Sequence, residues 1–458
     1  MKFKPVIDKG FMPCALVIKE YLERVHKENE FSEVKICLER TKGYNYIYSI
    51  DCFLDNTGHD EENYRIVERI VKSLLWMVGG HKIYVYGSRY IFMHLASDYS
   101  LEGKRSFDFK FMSKVYKTQM TVVFVNDLAA FPKLKEEVIP MQNSLNGNRI
   151  GFDAGGSDRK VSAVINGEPV FSDETVWYPK LQTDPEYHYE GILDSVTRAA
   201  AHLPKVDAIG VSTAGIVVDN ELMIASLYYS VPEEKLNDNA TGVYKRVAKQ
   251  FGDIPLVVAN DGDVTALAGA MDLNDDEVLG IAMGTSEAAG YISKGFAMTG
   301  WLNELAFAPV DFNEDAMEDE WSLDKGCGVK YFSQDSVIKL ADMAGISFPS
   351  EADAPAKKLK YIQGLNNEGN EIAKQIFEDI GVYLGYSLAY YAMFYDIKHV
   401  LLLGRVVSGI GGNIILDVAN KVLREEFKNL DNMQLHIPDE KSRRVGQSIA
   451  AASLPTIK

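Results

Sequence analysis

Apolar residues in the first third of this chain alternate between two spacings. Cys14 to His26 (CALVIKEYLERVH) carries them at helical intervals, whereas Val34 to Glu39 alternates apolar and polar as a strand does. Lys42-Gly43-Tyr44-Asn45 is a turn that feeds Tyr46 to Ile50, so the spacing predicts a hairpin. Glu61 to Met77 is an amphipathic helix closed by Gly79-Gly80. Lys82 to Gly87 follows as a buried-type strand and Ser88 to Ser97 as a helix. The long Phe/Tyr/Met-rich run from Phe107 to Val125 predicts two strands. His81 and Arg89 stand beside glycine turns, and a structural role is preferred for both over ligand contact. The order is α/β and strand-rich, unlike a helix-turn-helix reader with basic residues on its second helix.

The pattern changes character at Ile150 to Ser162 (IGFDAGGSDRKVS), a strand, a tight glycine turn and a second strand. Asn166-Gly167 then turns the chain into Pro169-Val170-Phe171. Tyr189 to His202 is an Ala-rich helix, and Val206 to Val211 a strand running into Ser212-Thr213-Ala214-Gly215. A helix from Tyr244 to Phe251 leads to the strand Ile254 to Ala259, which delivers Asn260-Asp261-Gly262-Asp263 before a helix from Val264 to Met271. Val278 to Met283 ends in Gly284-Thr285-Ser286-Glu287 and resumes at Ala288 to Ile292. His399 to Leu403 ends in Gly404-Arg405, and Arg443 to Ala452 is a closing helix of small residues suited to tight packing.

Three of these strand tips carry candidate chemistry. Gly155 and Gly156 lack Cβ, so their N–H groups can approach an anionic phosphate. Ser157 adds a hydroxyl, Lys160 a cation, and Asp153 a carboxylate suited to hydrated magnesium. Taken alone, the same residues also make a plain turn. Asp261 stands where it can take a proton from a substrate hydroxyl, while Asp263 is assigned to capping the next helix. Small residues at that strand's end, Ser212 to Gly215, leave room for a ligand, although packing of sheet on helix explains them equally well.

Composition narrows the classes. A chain of 458 residues needs more than one core. Its net charge of −17 argues against a nucleic-acid binder held by phosphate contacts. Residues 1–150 carry 22 Lys/Arg against 19 Asp/Glu, so the acidity lies beyond them, which favours a boundary near Leu145-Asn146-Gly147-Asn148. Four scattered cysteines (Cys14, Cys37, Cys52, Cys327) form no CxxC pair. With no long apolar run and no apolar leader core, a soluble cytoplasmic protein without a membrane partner is expected.

Asp-x-Gly-Gly-Ser-x-x-Lys, Asn-Asp at a strand tip, Gly-Thr-Ser and strand-Gly-Arg, in this order, resemble the sugar kinase/actin/Hsp70 ATPase fold. More narrowly, the pattern is similar to the ROK family of repressors and sugar kinases, over about residues 149–458. The resemblance implies an α/β, two-lobed, actin-like ATPase (ribonuclease H-like) fold preceded by an additional N-terminal α/β domain. The expected division is residues 1–146 as that domain, 147–264 with the C-terminal helix 443–455 as the small lobe, and 265–442 as the large lobe. It further implies Asp261 as general base toward a sugar hydroxyl. ATP would meet Asp153, Gly155, Gly156, Ser157 and Lys160 in one loop and Gly284, Thr285 and Ser286 in another. Gly404 and Arg405 would take the adenosine, Asp153 would hold Mg through water, and Thr213, Asn260 and Glu304 would bind the acceptor.

Two departures qualify this. The family's Gly-Glu-x-Gly-His, which grips the sugar, reads here Asn303-Glu304-Leu305-Ala306-Phe307, and Phe cannot hydrogen-bond a hydroxyl. The family's zinc cluster is reduced to Gly326-Cys327-Gly328, and one thiol cannot make a tetrahedral site, so no structural zinc is expected. The expected function is ATP- and Mg-dependent phosphorylation of a sugar or polyol, with a homodimer as the default assembly. The alternatives are a non-catalytic sugar- or nucleotide-binding regulator of the same family and a different acceptor such as an amino sugar, a carboxylate or an acyl compound.

Overall fold

Helix α1 (Cys14–Val25) buries Ile18, Tyr21 and Val25 along one stripe, as its spacing requires. The computed structural model describes residues 1–136, 139–140, 145–438 and 440–457. Strands β1 (Ser32–Glu39) and β2 (Asn45–Cys52) form the expected hairpin. They are followed by α2 (Asp60–Met77), β3 (Lys82–Tyr86) and α3 (Arg89–Asp98), whose N-terminus is capped by the Ser88 hydroxyl accepting from Ile91 N. The run from Phe107 to Val125 is not two strands. It forms α4 (Ser106–Val115) and then β4 (Thr121–Phe124). Phe107, Phe109 and Phe111 imitate a period of two, but Asp108, Phe109, Met112 and Val115 are buried together on one helical face. The four strands order as β2-β1-β3-β4, with β3 and β4 parallel.

After β5 (Ile139–Pro140) come β6 (Asn148–Ala154), β7 (Asp158–Ile165), β8 (Glu168–Val176) and α5 (Glu186–Ala200). Next are β9 (Ala208–Thr213), the short pair β10 (Ile216–Val218) and β11 (Glu221–Ile224), α6 (Asp238–Thr241) and α7 (Val243–Ala248). Strand β12 (Leu256–Asn260) then runs straight into α8 (Asp261–Leu273). The sheet order is β12-β9-β6-β7-β8: the first three strands are parallel, the last three antiparallel.

The remainder holds β13 (Val278–Met283), β14 (Glu287–Ile292), β15 (Ala297–Met298), α9 (Gln334–Met343), α10 (Pro355–Asn367) and α11 (Glu371–Tyr391). It ends with β16 (His399–Leu403), α12 (Ile410–Glu426), β17 (Gln434–His436) and α13 (Glu440–Ser453). A second large sheet has the order β14-β13-β16-β17.

The chain divides into two compact units: Met1–Glu137 with Ile281–Ala289 and Trp301–Ile437, and Val138–Gly280 with Gly290–Gly300 and Pro438–Lys458. Residues 1–136 therefore share a unit with most of the C-terminal half. In the second unit α13 lies directly on the sheet, because a side chain on Gly151 or Gly210 would overlap the backbone at Ser448 or Ala451. Arg149, fully buried, donates from Nη1 to the carbonyls of Ala452 and Pro455 and fastens the end of the chain. Among the described residues no helix is long and apolar enough to cross a membrane.

Candidate active site

In the second unit, three parallel strands end side by side. Their register pairs Asp153 with Ser212, Ala154 with Thr213, and Thr213 with Asn260. The polar residues expected at the strand tips therefore converge at the carboxyl ends of β6, β9 and β12, where open α/β sheets bind ligands. Asp153 is buried and its Oδ1 accepts the Ser212 hydroxyl at 2.7 Å. Burial raises its pKa, with Ser212 and Lys160 acting the other way. Thr213 is fully buried, and its Oγ1 accepts from the Tyr244 hydroxyl at 2.7 Å.

Asp261 is the first residue of α8, and Asn260 precedes it as the cap. The Asn260 Oδ1 accepts from Gly262 N at 2.8 Å and its Nδ2 donates to the Gly215 carbonyl. Asp263, expected to cap this helix, instead accepts Tyr291 N through Oδ1 at 3.0 Å. Asn260, one turn earlier in the polar tip, already satisfies the first free N–H. Asp261 is partly buried and its pKa is pushed up to about 6, first by burial and then by the charge of Asp153. Among the described residues no cation pairs with it.

The hairpin between β6 and β7 brings Gly155, Gly156 and Ser157 to the surface of this unit. A methyl group on Gly155 would stand 2.8 Å from the Asp158 carbonyl, so the tight turn requires glycine there. Lys160 lies opposite Asp153 across the strands and donates to Asp158 Oδ1 at 2.7 Å. Burial opposes its charge, but the bond to Asp158 and the field of Asp153 outweigh that and raise its pKa. Asp153 offers a hard oxygen donor, a chemistry that fits magnesium held through water.

In the first unit, the tip between β13 and β14 holds Gly284 N against Ser286 O at 3.0 Å and exposes Thr285 and Ser286. Gly404 (φ 92°) ends β16 against it. A side chain there would overlap the backbone of Met283, and Val406 N donates to the Met283 carbonyl at 3.0 Å. The Gly284 turn and the Gly404-Arg405 turn thus touch. Arg405 is exposed, its carbonyl held by Gln363 Nε2 at 2.7 Å.

The turn carrying Glu304 is bound to the N-terminal segment. The carbonyls at the end of α2 have no helical partners; Asn303 N takes that of Met77 and Glu304 N that of Trp76, both at 2.9 Å. Phe307 packs tilted against Trp76 with ring centroids 4.3 Å apart, with Phe107 at 5.8 Å and Phe111 at 6.5 Å. Where the family's histidine would meet a sugar, this chain has an aromatic cluster built with α2 and α4. Glu287, first residue of β14, was not singled out by sequence. It is 4% exposed, and among the described residues neither carboxylate oxygen has a hydrogen-bond partner. Burial and then the charge of Glu304 hold its pKa well above the glutamate range. Nothing in a period-two strand announces such an inward acid. Among the described residues no three His, Cys, Asp or Glu side chains are grouped to hold a metal ion. Cys327 is buried, and its Sγ lies 3.9 Å from the Asp324 carbonyl.

This combination of sheets and strand-tip loops is the fold of the actin-like ATPases, with an added N-terminal region. The ROK family model matches residues 149–441, and the chain belongs to that family. Its fold is similar to that of the ROK hexokinase from Thermus thermophilus (16% identity, TM-score 0.54), covering 67% of this chain and 97% of that one. It is also similar to a ROK family transcriptional regulator, a homolog of the E. coli MLC protein (16% identity, TM-score 0.53, 68% and 79% covered). No curated protein matches the sequence.

Proposed function

We propose that this protein is an ATP-dependent kinase acting on a sugar or sugar-like hydroxyl. The observation that carries the reading is Asp261: a carboxylate at a strand tip, paired with no cation among the described residues, its pKa pushed up to about 6 by burial and by Asp153. A base for a hydroxyl works best when poised near the operating pH, and Asp261 combines a raised pKa with a place at the converging strand tips. Asp261 accepts the hydroxyl proton. Asn260 and Thr213 order the strand tips around it, and Glu304 binds the acceptor. The amides of Gly155 and Gly156, Ser157 and Lys160 carry phosphate charge, Gly284 to Ser286 take the terminal phosphate, and Gly404 and Arg405 the adenosine. Asp153 would hold magnesium through water, and the ion, when bound, would supply neutralisation of phosphate charge. The setting is cytoplasmic and the partner a small molecule.

The test is ADP formation with ATP, magnesium and a panel of sugars, for the native protein and Asp261→Asn. Turnover confined to the native protein supports the reading; equal turnover by Asp261→Asn removes Asp261 from its role. A second reading, a non-catalytic regulator, is favoured by Phe307 and its packing against α2 and α4, which ties the acceptor turn to the N-terminal segment. Sugar binding without ADP formation selects it.

A further inference from the structure

The glycine hairpin of the second unit is approached by a residue far beyond it in sequence. Trp177, just after β8, donates its indole Nε1 to the Gly155 carbonyl at 2.8 Å and its backbone N to the Ser157 carbonyl at 3.1 Å. These two bonds strap the segment that follows against the loop. Pro179 to Leu181 make a single 3₁₀ turn, and the Lys180 carbonyl accepts the Ser230 hydroxyl at 2.6 Å. The Lys180 side chain thereby extends over Gly156: a methyl group on that glycine would stand 3.3 Å from Lys180 Cε and 3.5 Å from Nζ.

The other cations here are committed. Lys160 pairs with Asp158 at 2.7 Å, and Arg159 pairs with Asp194 at 2.9 Å while lying over the Trp177 ring. Lys180 is exposed and pairs with no carboxylate among the described residues. An ammonium placed over a glycine turn sets a cation beside backbone that an anion can approach closely, a pairing suited to a polyphosphate chain. We infer that Lys180 is a phosphate-binding residue of this hairpin, closing over the anion that Gly155 to Ser157 cradle. The nucleotide as its source rests on the kinase reading above; the anion site itself does not.

The test uses the full chain and two probes, ATP with magnesium and inorganic tripolyphosphate, titrated calorimetrically against the native protein, Lys180→Ala and Lys180→Arg. A single charge-assisted contact predicts about a tenfold loss of affinity for both probes in Lys180→Ala. Lys180→Arg retains most of the binding, and AMP affinity changes little. Lys180 is exposed, so a matching thermal midpoint shows that the variants are folded. Unchanged ATP affinity in Lys180→Ala overturns the inference and leaves the kinase reading standing. Tripolyphosphate binding that depends on Lys180, without ATP binding, supports the site and overturns the kinase reading. Absence of binding by either probe to the native protein overturns both.

Discussion

Two sets of acidic side chains in this protein receive opposite treatment. In the first unit, Glu68, Asp108 and Asp324 are buried against Arg69, Lys72 and Arg105. Arg105 reaches both Glu68 and Asp324, Arg69 does the same, and Lys72 holds Asp108 at 2.7 Å beneath the indole N–H of Trp76. Burial opposes the charge on Lys72, but Asp108 and Asp324 outweigh it and raise its pKa. In the second unit, Asp153 and Asp261 face each other's field; Lys160 lowers the pKa of Asp153 only, and Asp261, paired with no cation among the described residues, is left with a pKa of about 6. Carboxylates compensated on every side make scaffold. Carboxylates kept short of compensation hold a proton equilibrium within reach of neutral pH, which is what a base needs.

The sharpest way to break this contrast is Asp261→Asn. Turnover should fall by about 10²–10⁴, while ATP affinity, read calorimetrically, and thermal stability hold. The thermal midpoint should match or exceed that of the native protein, because a raised folded-state pKa means the ionised carboxylate costs stability at neutral pH. Arg105→Met should do the reverse, leaving Glu68 and Asp324 underpaired at a cost of about 3–5 kcal/mol in a denaturant titration. An unchanged midpoint for Arg105→Met would erase the distinction between the two clusters.

Acidity offers a finer probe. With Asp261 acting only when deprotonated, kcat/KM should fall below a pH of about 6. Asp153→Asn removes a like charge and should move that limb to lower pH in whatever activity survives. Glu287 tests the first unit in the same terms. Its folded-state pKa is raised, so its contribution to stability is complete below the ordinary glutamate range and is lost as pH rises. Glu287→Gln should therefore gain on the native protein as pH rises, seen in midpoints measured from pH 4 to 8. The smallest effect is expected from Tyr244→Phe, which removes one buried hydroxyl contact to Thr213 and should cost about 0.5–1.5 kcal/mol.

What could be read in advance follows the range over which the physics acts. Asp153 and Asp261 were legible because an apolar strand ending in a polar tip is a local pattern, and the register of three parallel strands then brings such tips together. Helix α4 was misread because its phenylalanines alternate, while the partner that fixes its buried face, Lys72 against Asp108, lies 36 residues away. Asn260 and Asp263 compete for one cap, and only the placement of Tyr291 N assigns Asp263 elsewhere. Lys180 reaches the hairpin through the return of β8, and Glu287 is unusual only for what it lacks inside the fold. Neither property is written in a neighbouring residue.

The hydrogen bonds from Asn303 and Glu304 to the last carbonyls of α2 have an evolutionary consequence. A fragment beginning at residue 145 would bare one face of the Phe307 ring and strip that turn of its docking rail. A change in that turn would then have to be matched by a change at the end of a helix encoded more than two hundred codons upstream. A graft of either segment alone into another scaffold would carry half a fitting.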